Sequence, residues 1–249
     1  MADAEVTEDA LLGGRIRIRQ PARGYRVNVD TLLLAATLPD ARYAGGRVIE
    51  PGCGVGAALL ALACQYKRAD SVEFIGIERD PLSARLAREN VELNGQEHRA
   101  RIIEGDALDP HADHGLADVV LFNPPYDAAG EGRPPAEGKR HAYVADQPID
   151  TWIKVWSNRM RGDAPMVLIH RAHRLNDILT AMEGRLGGIQ VTPIYPSADA
   201  KARRVIVRAR KGSRAPMQLY RGLALHPSED SKDKYTPEAE AILRGEAYL

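Results

Sequence analysis

Four polar features of this 249-residue chain fall where apolar runs stop, and their residue types can do chemistry. The last is Asn123, Pro124, Pro125 and Tyr126, in LFNPPYDAAG, directly after ADVVL. Neither proline offers an N–H and both fix φ at about −65°, so a strand must end there. Taken alone, the tetrapeptide reads equally as a stiff turn with Asn123 bonding its own backbone. Upstream, VIEPGCGVGAALLAL places Gly52, Gly54 and Gly56, with Cys53 between, after a strand pattern and before a helical one. Such a loop turns tightly, lets a ligand approach the backbone and exposes helix-terminal N–H groups. Glu50, two residues before the first glycine, disfavours a pyrophosphate and suits a ligand carrying an ammonium or sulfonium charge. Glu78, in GIERD, is placed to accept two ribose hydroxyls, or else is a solvated strand-end carboxylate. Asp106, in IEGDAL, suits an adenine amino group or a helix cap.

The elements that position these residues alternate. RVIEPGC (47–53), EFIGIERD (73–80), ARIIEGDAL (100–108), ADVVLFNPPY (117–126) and PMVLIH (165–170) read as strands. AALLALACQY (57–66) and PLSARLARENVELNG (81–95) read as helices, the second with Asp80 as N-cap, Pro81 at its first position and Gly95 at its end. Further helices are expected near 149–160 and 175–186, and further strands at ARRVIVRAR (202–210) and PMQLYRGLAL (216–225). This order predicts an α/β fold, a mostly parallel sheet with helices on both faces, whose ligands bind beyond the carboxyl ends of the strands.

Composition excludes several classes. Hydrophobic content of 44%, charged content of 27% and zero net charge describe ordinary globular material, and any basic surface must be local. One such stretch runs from Lys201 to Arg214, with basic residues including Lys201, Arg203 and Arg204 and no acid, although RRVIVRAR also reads as a solvated strand face with Val205 and Val207 inward. The two cysteines, Cys53 and Cys64, form no CxxC, which argues against a zinc site or a disulfide framework. Cys53 reads as an apolar packing residue. His111 and His114 in PHADHG have no partner ligands nearby in sequence, so no metal is expected. No apolar run of membrane-spanning length and no signal h-region occur, so a cytoplasmic protein is expected.

Glycine loop, ribose acid, adenine acid and strand-end NPPY, in that order, resemble the motifs of class I methyltransferases that use S-adenosylmethionine, over residues 25–210. The resemblance implies a Rossmann-like fold with a seven-stranded sheet. It implies cofactor contacts at Glu50, Gly52, Cys53, Gly54, Gly56, Glu78, Arg79, Asp106, Ala107 and Asn123, and catalysis by Asn123, Pro124, Pro125 and Tyr126. An exocyclic amino group is a poor nucleophile, because its lone pair is delocalised. Two acceptors, Asn123 Oδ1 and the Pro124 carbonyl, would let it pyramidalise, with Tyr126 stacked on a flipped base.

RGYRVNVDTLLLAATLP (23–39), with Tyr25, Arg26 and Asp30, resembles the N-terminal motif of the tRNA1(Val) adenine N6-methyltransferase-like family. MVLIHRAHRLNDIL and YTPEAEAILRG resemble its later segments. Asp30 otherwise reads as the cap of a cover helix. The implied activity is N6-methylation of adenine in tRNA near the anticodon, with Tyr25, Arg26, Arg133, Lys139, Arg140, Lys201, Arg203 and Arg204 toward RNA. NPPY also serves glutamine N-methylation of proteins, which is the alternative enzyme. That enzyme would be expected to carry a helical domain ahead of the glycine loop, where only residues 1–46 stand. A non-catalytic RNA-binding protein of the same fold is the alternative from another class. The expected organisation is one domain, with a cover segment at 1–46, a catalytic core at 47–225 and a tail at 226–249.

Overall fold

The computed structural model describes residues 5–24, 26–38, 46–65, 71–124, 127–128, 144–145, 147–227 and 233–249. Tyr25, Pro125, Tyr126, Arg133, Lys139, Arg140 and His141 lie outside the described residues.

The chain opens with a hairpin, β1 (Val6–Leu11) and β2 (Ile16–Pro21), followed by α1 (Val29–Ala35). The core then alternates: β3 (Gly46–Pro51), α2 (Ala57–Gln65), β4 (Val72–Glu78), α3 (Pro81–Leu93), β5 (Ala100–Glu104) and β6 (Val119–Phe122). After the two-residue strands β7 (Asp127–Ala128) and β8 (Val144–Ala145) come α4 (Ile149–Asn158), β9 (Pro165–Arg171), a 3-10 turn at Ala172–Arg174 and α5 (Leu175–Met182). β10 (Leu186–Ser197), β11 (Arg204–Lys211), β12 (Gln218–Leu219), β13 (Leu223–His226) and α6 (Pro237–Leu243) complete the chain.

The main sheet runs β12-β10-β11-β9-β6-β3-β4-β5, with β13 also on β10. β3, β4, β5, β6 and β9 pair in parallel, and β11 is antiparallel to both β9 and β10. The strand order reverses between β3 and β6, which opens the crevice where such sheets take ligands. Six of the seven strands read from the sequence are present in this sheet, and β10, β12 and β13 bring it to nine. PMQLYRGLAL is therefore two short strands, and β10 (LGGIQVTPIYPS) is a long strand that the pattern did not announce.

Both faces are covered. α1, α2 and α6 bury Leu33, Leu34, Leu59, Leu60 and Ile242 with β3 and β9 side chains on one face. Ile153, Trp156 and Ile178 of α4 and α5 pack on Val120, Phe122, Leu168 and Val207 on the other. In β11, Ile206 is buried as well as Val205 and Val207, so this strand is interior on both sides and not a solvated face. Residues 237–249 pack firmly: Ala239 and Ile242 are buried, and the Leu249 N–H donates to the Ala36 carbonyl at 3.0 Å.

Local chemistry sets the ends. Asp80 accepts the Ser83 N–H at 2.8 Å and Pro81 starts α3, as the sequence predicts. At α1 the cap is Asn28, which accepts the Asp30 N–H at 2.9 Å. Asp30 is buried and holds Arg204 at 3.0 Å, which corrects its expected capping role. The hairpin is held by α3. Asn90 and Asn94, one helical turn apart, each bond both backbone groups of a β2 residue, Arg19 and Arg17 respectively, at 2.7–2.9 Å. Among the described residues no helix is long and apolar enough to cross a membrane.

Candidate active site

The strand ends bring the chemical residues together. Ile49 pairs with Val120 and Glu50 with Gly76, so the glycine loop, Asn123 and Glu78 all leave the sheet at one edge, on neighbouring strands about 4.8 Å apart.

After β3 the chain reverses through Gly52 (φ +69°), Gly54 (φ +55°) and Gly56 (φ +78°), a left-handed region that other residues resist. The Gly52 and Cys53 N–H groups both donate to the Ile77 carbonyl, at 2.8 and 3.1 Å, which folds the loop toward β4. A side chain on Gly54 would meet nothing within 4 Å, so the loop backbone there faces open space. Cys53 is buried, and a Cβ on Gly76 of β4 would stand 2.7 Å from its Sγ. Burial pushes the Cys53 thiol well above its usual range, with Glu50 and Glu78 nearby adding to the effect, so it is a packing group.

The carboxylates differ. Glu78 Oε2 accepts the Gly54 N–H and Oε1 the Asp80 N–H, both at 2.8 Å. Each oxygen keeps a lone pair at the mouth of the crevice, the acceptor set that vicinal hydroxyls need. Glu50 is buried and accepts the Leu59 N–H at 2.9 Å. Burial pushes its pKa up to about 8, the Leu59 N–H opposes the rise and the Glu78 charge adds to it. Burial thus favours the neutral acid over the anion that its sequence position suggests. Asp106 is exposed and accepts the Leu108 N–H at 2.9 Å in a turn that buries Ala107. Arg79 is exposed beside Glu78.

Asn123 is half-buried and Pro124 is buried directly after Phe122, which is fully enclosed. Phe122 stacks on Trp152 of α4 (centroids 5.9 Å apart, 24° between planes), and a Cβ on Gly52 would lie 3.1 Å from Trp152 Cη2. Trp152 therefore touches both the glycine loop and the residue before Asn123. Sequence reading missed it, because its one signal was a tryptophan in the first turn of the helix after NPPY.

Of the residues expected to face RNA, the structure separates two groups. Arg26 holds Asp9 at 2.7 Å and bonds Thr7 and the Pro21 carbonyl, so it clamps the hairpin. Arg204 is engaged by Asp30. Lys201 and Arg203 are exposed in the β10–β11 turn, at the same edge as Asn123. His114 is buried against Trp156, and among the described residues no three His, Cys, Asp or Glu side chains are grouped to hold a metal.

Residues 24–136 match the family model described as the methyltransferase small domain. The fold is that of class I methyltransferases, and the activity it carries is S-adenosylmethionine-dependent methyl transfer. S-adenosylmethionine is its cofactor, and the open Gly54 backbone, the paired acceptors of Glu78 and the buried acid Glu50 fit a nucleoside with a cationic tail. The methyltransferase is 27% identical over 248 residues to the tRNA1(Val) (adenine(37)-N6)-methyltransferase of Actinobacillus succinogenes, covering 94% of this chain and 95% of that one. It is 32% identical, over 45% of its own length and 51% of the other, to a putative protein N5-glutamine methyltransferase of Methanocaldococcus jannaschii. A crystal structure of a predicted O-methyltransferase from Agrobacterium tumefaciens superposes with a TM-score of 0.69 at 28% identity, over 88% of this chain and 98% of that one. The resemblance carried by the glycine loop, Glu78, Asp106 and NPPY is borne out at the level of family and fold.

Proposed function

We propose that the enzyme methylates N6 of adenine in a tRNA, near the anticodon, in the cytoplasm. The observation that carries the reading is the joint presence of NPPY at the end of β6 and end-to-end similarity to a tRNA1(Val) adenine N6-methyltransferase. In this reading Glu50 and the Gly52, Cys53, Gly54 and Gly56 loop face the methionine part of the cofactor. Glu78 and Arg79 face the ribose, and Asp106 and Ala107 the adenine. Residues 1–46 form the cover of the site and 47–225 the catalytic core, with 226–249 closing over α1.

When bound, S-adenosylmethionine supplies a methyl group activated by its sulfonium. Asn123 Oδ1 and the Pro124 carbonyl accept the two N–H bonds of the target amino group, so its nitrogen pyramidalises and its lone pair points at the carbon to be attacked. Pro125 holds the carbonyl direction without adding a donor, and Tyr126 stacks on the extruded base. The alkylated nitrogen is acidic and loses its proton to water, so no strong general base is needed. Lys201 and Arg203 suit phosphate contacts, joined by Tyr25, Arg133, Lys139 and Arg140. Arg26 and Arg204 act through the hairpin and α1 that they hold.

The test is transfer of labelled methyl from S-adenosylmethionine to bulk tRNA lacking this modification, with nucleoside analysis. N6-methyladenosine is expected, and Asn123→Ala is expected to retain cofactor binding while turnover drops by at least about 100-fold. Unchanged turnover would remove Asn123 from catalysis. Glutamine methylation is the second reading, supported by the similarity to the putative glutamine enzyme; label in a protein fraction with none in RNA would select it.

A further inference from the structure

The surface cations sort into two kinds. Over much of the molecule arginines hold carboxylates: Arg47 and Arg101 share Glu73, and Arg210 holds Asp163. Lys154, Arg185, Lys201 and Arg203 are exposed and hold no carboxylate among the described residues. The fold sets these four along one path: Lys201 and Arg203 at the edge of Asn123, Lys154 on α4, and Arg185 beyond α5 at the opposite edge, where its carbonyl accepts the Gly212 N–H at 3.1 Å. The Arg203 carbonyl accepts the Ala172 N–H at 3.1 Å, which ties the β10–β11 turn to the 3-10 turn Ala172–Arg174. Arg174 in turn lines a groove of about 480 Å³ between α4 and α5, together with Lys154 and Arg185. The groove opens beside Pro148, the residue before α4. β9, which ends at Arg171, is the sheet neighbour of β6, so the path starts one strand away from Asn123.

The chemistry of this path is specific. The five cations Lys154, Arg174, Arg185, Lys201 and Arg203 stand against four carboxylates, Asp150, Asp177, Glu183 and Asp199, and Asp177 is already held by Arg174 at 3.0 Å. Asn176 and Thr180 add neutral hydrogen-bonding groups, and no aromatic side chain lines the groove. A surface with donors and positive charge but nothing to stack a base on fits a sugar–phosphate backbone and not a base. We propose that the β10–β11 turn and the α4–α5 groove form one track for the backbone of the RNA strand beside the target nucleotide. This rests on the RNA reading above and adds the path the strand takes.

Two double variants on exposed side chains test it, Lys154→Ala/Arg185→Ala for the groove and Lys201→Ala/Arg203→Ala for the turn. Binding of fluorescently labelled, unmodified tRNA is measured by anisotropy between about 50 and 200 mM salt, where phosphate contacts dominate the slope. Each variant is expected to bind roughly tenfold more weakly and to lose about 0.7–0.9 of salt slope per lost contact. KM for tRNA should rise while kcat at saturating tRNA and calorimetric cofactor affinity stay at wild-type values. Wild-type affinity and salt slope in both variants, with the parent methylating tRNA, would overturn the track and leave the substrate reading standing. A parent that neither binds nor methylates tRNA would overturn both. Loss of methylation of a protein fraction, without any effect on RNA, would reassign these residues to a protein partner and overturn the track.

Discussion

Replacing Glu50 by Gln should make the unliganded enzyme more stable, and more so the higher the pH. The carboxyl lies inside the fold with one backbone donor, and its pKa is pushed from the usual 4.5 up to about 8. Between those values the folded protein holds a proton that the unfolded chain has lost. Unfolding free energy therefore falls as pH rises from 4.5 to 8 and levels off above. At 1.36 kcal/mol per pK unit the penalty is about 3 kcal/mol at pH 7 and roughly 5 kcal/mol above pH 8. A glutamine amide fills the same volume, accepts the Leu59 N–H and never ionises. Urea unfolding of the cofactor-free proteins at pH 5, 7 and 9 should give curves that coincide near pH 5 and diverge upward, with other titrating groups cancelling in the difference. A difference independent of pH would refute the buried neutral carboxyl. The same group also reports on the cofactor. If Glu50 faces the cationic methionine end, binding ionises it, and calorimetry at pH 7 in buffers of different ionisation heat should show close to one proton released per cofactor, a release absent from the Gln variant.

Further outcomes follow from the same geometry. The chain has two tryptophans, and Trp156 is fully buried, so a fluorescence change on adding S-adenosylmethionine should come from Trp152 and vanish in Trp152→Phe; Trp152→Ala should also weaken cofactor binding by about 0.5–1.5 kcal/mol through lost stacking. Gly76→Ala puts a methyl 2.7 Å from Cys53 Sγ and 2.8 Å from Ile102 Cδ1, which should cost about 1–3 kcal/mol in urea unfolding, with Cys53→Ala recovering part of the loss. His170, buried on β9, has its pKa lowered to about 4, first by desolvation and then by Arg174, His173 and Arg171. Its stabilising share is complete above pH 6.5 and is lost as pH falls toward 4, so His170→Asn should flatten the acid side of the stability profile by up to roughly 3 kcal/mol.

The gathering of the candidate residues at one sheet edge was legible in the sequence, because each stands at the boundary between an apolar run and a turn-forming residue. Glu50, Gly52, Glu78, Asp106 and Asn123 mark strand ends, and a parallel sheet must bring its strand ends to one edge. Asp80, Pro81 and Gly95 fixed α3 for the same reason: caps are local chemistry. What escaped was stabilised from a distance. β1 and β2 are short and bury only alternate residues such as Ile16 and Ile18, and the β2 backbone is bonded by Asn90 and Asn94, some seventy residues away on a helix. β10 contains Gly187, Gly188 and Pro193, which argue against a strand when read locally. The glycines fall at a register shift against β11, and Pro193 falls between the stretches paired to β12 and β13, where the sheet tolerates them.

The arginines make the sharpest case for tertiary context over pattern. In the sequence, Arg203, Arg204 and Arg210 belong to one basic run and look equivalent. In the fold, Arg204 holds the buried Asp30, Arg210 holds Asp163 on the far side of the sheet, and Arg203 is exposed in the turn at the edge of Asn123 without a carboxylate among the described residues. Because the chain carries no net charge, a polyanion is attracted only where the acids have been paired elsewhere. Pairing therefore decides which cations are available to a substrate. The same logic predicts opposite outcomes for two neighbours: Arg204→Ala should destabilise by leaving Asp30 buried and uncompensated, whereas Arg203→Ala should leave unfolding unchanged and weaken RNA binding. Equal stability losses in the two variants would show that the ion pair with Asp30 does not distinguish them.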